Sequence, residues 1–127
     1  MAQDNTPLNP VQIEAELINA SNSVAKSIQP VSDAYNEWQQ AKLNFKREYA
    51  IAYLDATGSV EDRKQIATRD TLPVAEEEVI AEAKYRRLAD FQRSYRDKTS
   101  VYQTLAKSVN TAYQVAGTGE QIGRAHV

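Results

Sequence analysis

A chain of 127 residues is the size of one domain. It contains no cysteine, which excludes disulfide bonds and thiolate metal sites. Its 15 basic and 17 acidic side chains nearly cancel, so the net charge does not identify a partner. Glycine and proline number only four each, and no alternating β-branched run is bounded by turn residues, so we expect an all-α fold.

The N-terminal residues, MAQDNTPLNP, contain no basic region followed by an apolar run, so no secretory signal is predicted. No stretch approaches the roughly 18 consecutive apolar residues of a transmembrane helix. Together with the absence of cysteine, these features favour a cytoplasmic protein without a membrane partner.

The first predicted helix covers residues 10–29 and follows a polar, flexible leader at residues 1–9. Pro10 suits the first turn of a helix, because the backbone N–H that it lacks would have no intrahelical acceptor there. The helix is expected to end before Pro30, whose ring disfavours a helix interior. Its apolar stripe has spacings of three and four residues and comprises Ile13, Leu17, Ala20, Val24 and Ile28.

A second helix is predicted over residues 31–57, where Gly58 interrupts it. Its seam has the spacing of a coiled coil and comprises Val31, Ala34, Trp38, Ala41, Phe45, Tyr49, Ala52 and Ala56. A short helix over residues 59–70 follows, with Ser59 as its N-cap and Asp62 completing a capping box.

The dominant predicted feature is a long helix over residues 73–116, which restarts the chain after the turn at Thr71-Leu72-Pro73. No glycine or proline lies between residues 74 and 116, so the helix is expected to be continuous. Its predicted seam comprises Ala81, Leu88, Phe91, Tyr95, Tyr102, Leu105, Val109, Ala112 and Ala116.

Two lysines, Lys84 and Lys98, interrupt the apolar pattern of the long helix. Gly117 is expected to cap its C-terminus, because glycine readily adopts the left-handed conformation found there. Residues 118–127 are expected to form a disordered tail, and the last of them fit a cloning remnant.

These helix lengths favour an elongated antiparallel helical hairpin of the coiled-coil type. The last helix would span roughly 65 Å, and residues 31–70 about 60 Å. With its tip near residues 70–73, such a hairpin pairs positions whose numbers sum to roughly 141. The helix over residues 10–29 would then be an additional N-terminal member of a single helical domain at residues 10–117.

A hairpin of two helices buries only one stripe per helix, which is too little for firm stability, so we expect a homo-oligomer. Exposed aromatic rings off the seam favour a second, intermolecular face, and the tyrosines in question are Tyr35, Tyr53, Tyr85 and Tyr113. The alternative is that these rings are half-buried beside the seam.

No catalytic, cofactor or metal site is predicted. His126 is the only histidine and lies in the predicted tail, which leaves no imidazole base or histidine pair for a metal. Glu76, Glu77, Glu78 and Glu82 cluster at the start of the long helix, where carboxylates complement the helix dipole. We therefore expect a non-enzymatic protein.

The distribution of charge is more informative than its total. Residues 84–98 carry six basic and two acidic side chains, and a second basic cluster lies at residues 42–47. In the predicted register the two clusters merge into one basic belt, which suits a polyanion such as single-stranded DNA. The predicted nucleic-acid-binding residues are Lys42, Lys46, Arg47, Arg86, Arg93, Arg96 and Lys98. The alternative is a solvated helix face, with i, i+4 pairs such as Arg86 and Asp90.

Residues 35–116 contain three features in order. These are a tryptophan-bearing helix, the segment FKREYAIAYLDATGSVEDRKQIAT, and a long helix rich in arginine and tyrosine. This order resembles that of small helical proteins of tailed phages, the recombination mediators of the UvsY type. The resemblance implies a ring-like oligomer in the host cytoplasm that binds single-stranded DNA. It also implies loading of a recombinase onto strands coated by single-strand-binding protein. One departure is that Ala50 and Ala52 replace basic residues of such mediators.

The predicted function is therefore that of a non-enzymatic, oligomeric DNA-binding accessory protein of phage recombination or replication. The alternative is a protein-binding helical module, such as a phage inhibitor of a host factor or a structural adaptor. The heptad seam and the off-seam tyrosines favour this alternative. Nucleic-acid binding that weakens as salt rises would distinguish the first function from the second.

Overall fold

The computed structural model describes the backbone of residues 9–125 and the side chains of residues 9–117. Three helices account for nearly all of this part of the chain: α1 (Pro10–Asp55), α2 (Val60–Asp70) and α3 (Leu72–Ala125). No strand occurs within the described residues. The all-α prediction is confirmed, and a long helix packs against another.

The contacts of the chain divide between two compact units, where the sequence predicted a single domain. The first unit contains Met1–Ala25 and Arg93–Val127, and the second contains Lys26–Gln92. Each unit therefore draws on both long helices, and α2 belongs entirely to the second unit.

The start of α1 is set by local hydrogen bonds. The Gln12 N–H donates to Asn9 Oδ1 at 2.9 Å, and the Asn9 N–H donates to Gln12 Oε1 at 3.0 Å. These bonds form a reciprocal capping box, and Pro10 fills the first helical position as predicted. The leader prediction for residues 1–8 lies outside the described residues.

The predicted break at Pro30 is wrong, because α1 runs through this proline without interruption. Spacings of three and four residues lead from Val24 through Ser27 to Val31, so the inner stripe continues past Pro30. Pro30 lies on the exposed side, where solvent can satisfy the carbonyl that its missing N–H leaves without a partner. The separate N-terminal helix predicted over residues 10–29 is therefore the first part of α1, and Ile28 is exposed rather than in the stripe.

The link between α1 and α2 follows the sequence closely. Gly58 has a φ of 112°, which is accessible to glycine and strained for other residues. Ser59 caps α2: its hydroxyl accepts a bond from the Asp62 N–H at 3.1 Å, while Asp62 Oδ2 accepts from the Ser59 N–H at 3.3 Å. The predicted capping box is confirmed.

A single residue, Thr71, connects α2 to α3. Its N–H and its hydroxyl both donate to the Ala67 carbonyl, at 3.0 Å and 2.6 Å. Thr71 and Ala67 are both buried, so the junction is a packed corner of the second unit. The turn was predicted at this place, and α3 begins at Leu72 rather than at Pro73.

The C-terminal end of α3 differs from the prediction. The helix continues through Gly117 to Ala125, so the expected glycine cap and the disordered tail over residues 118–125 are wrong. Gly117 does not have a positive φ, and an isolated glycine costs a helix only about 1 kcal/mol relative to alanine. The last two residues of the predicted tail lie outside the described part of the chain.

The interior is small. Among the described hydrophobic side chains, only Ile13 and Ala20 in the first unit and Ala34 and Ala67 in the second are buried. The predicted seam over residues 31–56 is buried or half-buried at every position and is confirmed. Most of the described side chains are therefore exposed or half-buried.

The predicted seam of α3 is only partly correct. Ala81, Leu88, Tyr102 and Val109 are half-buried as expected, whereas Phe91 is 54% exposed. Other predicted members that are exposed are Tyr95, Leu105, Ala112 and Ala116. The half-buried positions that the prediction missed include Tyr85, Gln92, Thr99 and Ala106.

Candidate functional site

In the second unit, α1 and α3 pack with their residue numbers running in opposite directions. Lys84 Nζ lies 3.0 Å from Glu37 Oε2, and Lys46 and Tyr49 share a groove with Glu78. The predicted register, in which Lys46 faces Arg93, is wrong. The reason is that residues 56–71 form the connection between the long helices, whereas the prediction counted α2 as an extension of the second helix.

The seven predicted DNA-binding residues are divided between the two units. The second unit holds Lys42, Lys46, Arg47 and Arg86, and the first holds Arg93, Arg96 and Lys98. The register that would have merged them into one basic belt does not occur. Several of them have partners within the chain: Arg86 Nη2 lies 2.8 Å from Glu82 Oε1, and Lys98 Nζ lies 3.9 Å from Glu16 Oε2.

An aromatic cluster occupies the seam of the second unit. The Trp38 ring stacks on the Tyr85 ring, with centroids 5.5 Å apart and an interplanar angle of 22°. Tyr35 meets both rings edge-on, at 5.4 Å from Tyr85 and 6.1 Å from Trp38. The expectation that Tyr85 lies off the seam is therefore wrong. Because Trp38 and Tyr85 already stack on each other, one face of each ring is not available to stack on a base.

Two of the predicted DNA-binding cations lie beside Trp38. Lys42 Nζ is 6.0 Å and Arg86 Cζ is 5.7 Å from the centroid of a Trp38 ring. Such cation–π contacts are worth about 0.5–1 kcal/mol at exposed sites. Trp38 Nε1 is buried and has no hydrogen-bond partner among the described atoms. Lys42 and Arg86 therefore both lie within cation–π distance of the seam residue Trp38.

A groove runs between α1 and α3 beside this cluster, and we call it the aromatic groove. It has a volume of about 290 Å³ and is lined by Lys42, Phe45, Lys46, Tyr49 and Glu78. The Phe45 and Tyr49 rings lie 6.1 Å apart and form its wall on α1. The groove therefore combines two aromatic side chains with two lysines and one glutamate.

An apolar ridge follows the first turns of α3. Leu72, Ala75 and Val79 lie at spacings of three and four residues and therefore share one face of the helix. Val79 is 65% exposed and Leu72 53% exposed. Glu76 and Ile80 complete the lining of a shallow hollow of about 350 Å³. We call Leu72, Ala75 and Val79 the apolar ridge.

A second exposed apolar surface lies on the outer side of α1 in the second unit. Leu43, Ile51 and Leu54 are all exposed, and their spacings of eight and three residues place them on one stripe. A hollow beside Leu43 is lined further by Gln40, Ala41, Asn44 and Arg47. We call Leu43, Ile51 and Leu54 the outer stripe.

The first unit contains a groove of a different character. It has a volume of about 400 Å³ and is lined by Ser21, Val24, Arg96, Thr99 and Ser100. Three of the lining residues carry a hydroxyl group and one carries a guanidinium group, and the Thr99 hydroxyl donates to the Tyr95 carbonyl at 2.9 Å. Groups of this kind bind the oxygen atoms of phosphates.

Among the described residues, no group of three or more histidine, cysteine, aspartate or glutamate side chains is placed to hold a metal ion. In the acidic cluster, Glu82 pairs with Arg86 and Glu78 lines the aromatic groove. His126 lies outside the described residues. The helices within that range include none that is both long and apolar enough to cross a membrane.

The apolar ridge and the outer stripe were missed by sequence reasoning. A signal for them exists, since Leu43, Leu54 and Val79 are large apolar residues that fall between the heptad positions of their helices. Comparison with known proteins adds no assignment: no family model, curated protein or solved structure matches this chain.

Proposed function

We propose that this chain is a non-enzymatic protein-interaction module that binds a helical segment of another protein along the outer stripe of α1. One observation carries this proposal: Leu43, Ile51 and Leu54 are large aliphatic side chains that the chain itself leaves exposed on one face. Exposed large apolar side chains on one helix face are typical of sites that bind other proteins.

The outer stripe has the composition of a helix-binding surface. Because Leu43 is 52%, Ile51 48% and Leu54 79% exposed, burial of the remaining surface of each against a partner would contribute about 1–2 kcal/mol. Arg47, Gln40 and Asn44 lie beside the stripe and supply the polar rim that surrounds the apolar centre of most interfaces. The expected partner is therefore an amphipathic helix with apolar residues at spacings of three and four.

Binding through the outer stripe predicts that a triple variant, Leu43→Gln, Ile51→Gln and Leu54→Gln, loses its partner while keeping its helicity. Glutamine is a good helix former, so circular dichroism should be unchanged. The measurement is capture from a nuclease-treated cell lysate on immobilised protein, followed by calorimetry with the purified partner.

A matched control is the double variant Val101→Gln and Val115→Gln, which changes exposed valines of the first unit. We expect this control to bind like the wild type, and the triple variant to bind at least 100-fold more weakly. Equal binding by wild type and triple variant would contradict the proposal, and so would the absence of any nuclease-resistant partner.

The second candidate function is binding of single-stranded DNA, as the sequence and its resemblance to recombination mediators suggest. The specific observation in its favour is the hydroxyl-lined groove around Arg96 in the first unit. The same protein samples, titrated with a labelled single-stranded oligonucleotide over a salt series, test this function. DNA binding requires an affinity that falls as salt rises and that Arg96→Gln weakens more than Arg87→Gln does.

A further inference from the structure

We infer that two copies of this chain dock through the C-terminal part of α3, with their α3 helices antiparallel and in contact over residues 101–115. The inference goes beyond the proposed function, because this surface belongs to the first unit and the outer stripe to the second. It rests on three observations: α1 leaves part of α3 uncovered, this segment has almost no charge, and its exposed apolar residues have heptad spacing.

The C-terminal part of α3 extends past the start of α1. Two contacts in the first unit show which residues of the helices are level: Glu16 Oε2 lies 3.9 Å from Lys98 Nζ, and Ser21 lines a groove with Thr99. Counting back along α1 and forward along α3 from these contacts places Pro10, where α1 begins, level with residues 104–110.

The burial of α3 agrees with this overhang. The seam positions Tyr102, Ala106 and Val109 are half-buried, whereas the next one, Tyr113, is 64% exposed. All residues from 110 to 117 are exposed, so no side chain of the described part of the chain covers this segment. Helices in proteins are stabilised mainly by the packing of an apolar face, and residues 110–117 therefore lack a partner helix that a second copy would supply.

The same segment carries almost no charge. Within residues 99–117 only Lys107 is charged, although charged residues make up 25% of the chain. Depletion of charge distinguishes the core of an interface from the rest of a protein surface. A second copy suits this segment as its partner, because a neutral helix meets its own copy without the repulsion that like charges cause.

Exposed apolar residues follow one side of this segment. Val101 is 57%, Leu105 37% and Val115 67% exposed. Together with Ser108 and Ala112 they have spacings of four, three, four and three residues, which is the repeat of a helix that packs against another helix. We call these five residues the α3 stripe. The seam positions 102, 106 and 109 each follow a stripe residue directly, so the stripe lies about 100° around α3 from the seam.

An antiparallel arrangement places the uncovered segment of each copy beside the part of the partner's α3 that α1 supports. Centred on residue 110, it brings Leu105 of one copy opposite Val115 of the other, twice. The small residues Ser108 and Ala112 then face each other near the centre, and the interface is isologous. The adjacent heptad register is disfavoured, because it would place Lys98 against Val115 and bury a charge.

The first test is sedimentation equilibrium of the full chain over a wide concentration range. We expect a wild-type dimer whose dissociation constant rises at least tenfold in Val115→Lys, because a charge then enters the apolar contact. The matched control is Gln114→Lys, which adds the same charge at the next residue, on a side of α3 that faces away from the stripe. It should leave the dimer unchanged. Circular dichroism at a concentration that dissociates all three proteins should report equal helicity.

The second test measures orientation and register, using the absence of native cysteine. Oxidation of an equal mixture of Leu105→Cys and Val115→Cys chains should give mainly the crossed dimer, in which each variant is linked to the other. Each variant oxidised alone should give little dimer. Linkage of each variant to itself in preference to the other would show parallel pairing and overturn the inference.

A wild-type chain that stays monomeric would also overturn it, as would equal effects of Val115→Lys and Gln114→Lys. These outcomes are separable from those of the proposed function. The triple glutamine variant of the outer stripe should remain a dimer. The double variant Val101→Gln and Val115→Gln should dimerise more weakly while it keeps the partner of the outer stripe, and a monomeric wild type that still binds this partner would overturn the dimer alone.

Discussion

Gly58 and Gly117 illustrate how one residue type has opposite effects in two backbone settings. Gly58 has a positive φ, and a Cβ added there would lie 3.0 Å from Asp62 Oδ2, the atom that accepts the capping bond from Ser59. Gly117 lies inside α3, where an added Cβ meets no atom within 4 Å. The sequence correctly predicted that Gly58 interrupts a helix. It wrongly predicted that Gly117 caps one.

We expect Gly58→Ala to lower the free energy of unfolding by about 1–2 kcal/mol, because alanine is strained at positive φ. Gly117→Ala is its matched control and should raise the free energy of unfolding by up to about 1 kcal/mol, because alanine is the better helix former. Urea denaturation followed by circular dichroism measures both. Destabilisation by both substitutions to the same extent would show that α3 does not continue through residue 117.

Short-range signals explain why the residue scale was the most predictable. The capping box of Ser59 and Asp62 and the opening of α1 at Pro10 depend on side chains within four residues of each other. The geometry of such a pair is determined by the local sequence. The burial of a seam position is not, because it also depends on the helix that packs against it.

At the scale of the element, the continuity of α1 shows how a stripe outweighs a single unfavourable residue. The sequence prediction placed the apolar residue Ile28 in the stripe, although Ser27 is the residue that fits the heptad spacing to Val31. The structure places Ser27 half-buried and Ile28 57% exposed. The same choice recurs in α3, where Gln92 is half-buried and Phe91 is exposed. Spacing decides the inner position, and hydrophobicity alone misleads.

Pro30→Ala should raise the free energy of unfolding by about 1–3 kcal/mol, because it restores a backbone hydrogen bond in the interior of α1. Pro10→Ala serves as the matched control, since proline at the first helical position leaves no bond unmade, and it should change stability little. Urea denaturation of both variants is the measurement. If Pro30→Ala had no more effect than Pro10→Ala, the helix would be broken at residue 30 as the sequence first indicated.

At the scale of the molecule, the structure of each unit depends on the register in which its helices pack. This register was the least predictable feature. A register is fixed by the length of the connection, and the heptad pattern alone is compatible with several offsets. The prediction took α2 as an extension of the second helix, which displaced the pairing of Lys46 from Glu78 towards Arg93. The predicted basic residues are exposed, but the observed register does not bring them together into the basic belt that was predicted.

The functional surfaces depend on this register in the same way. The aromatic groove exists only because Phe45 and Tyr49 of α1 are level with Glu78 of α3. The Trp38 and Tyr85 rings stack because the seam brings them to one level as well. The sequence contained every residue of the groove, yet their juxtaposition required knowledge of the connection between the helices.

The register in the second unit is tested most directly by cross-linking of paired cysteines, which the absence of native cysteine makes unambiguous. A short bis-maleimide should join Glu37→Cys to Lys84→Cys within one chain, because the native side chains lie 3.0 Å apart. It should not join Asp55→Cys to Arg86→Cys, the pair required by a hairpin with its tip near residue 70. Mass spectrometry of the monomer band reads out both. Efficient linkage of the second pair, with none of the first, would contradict the register and every surface built on it.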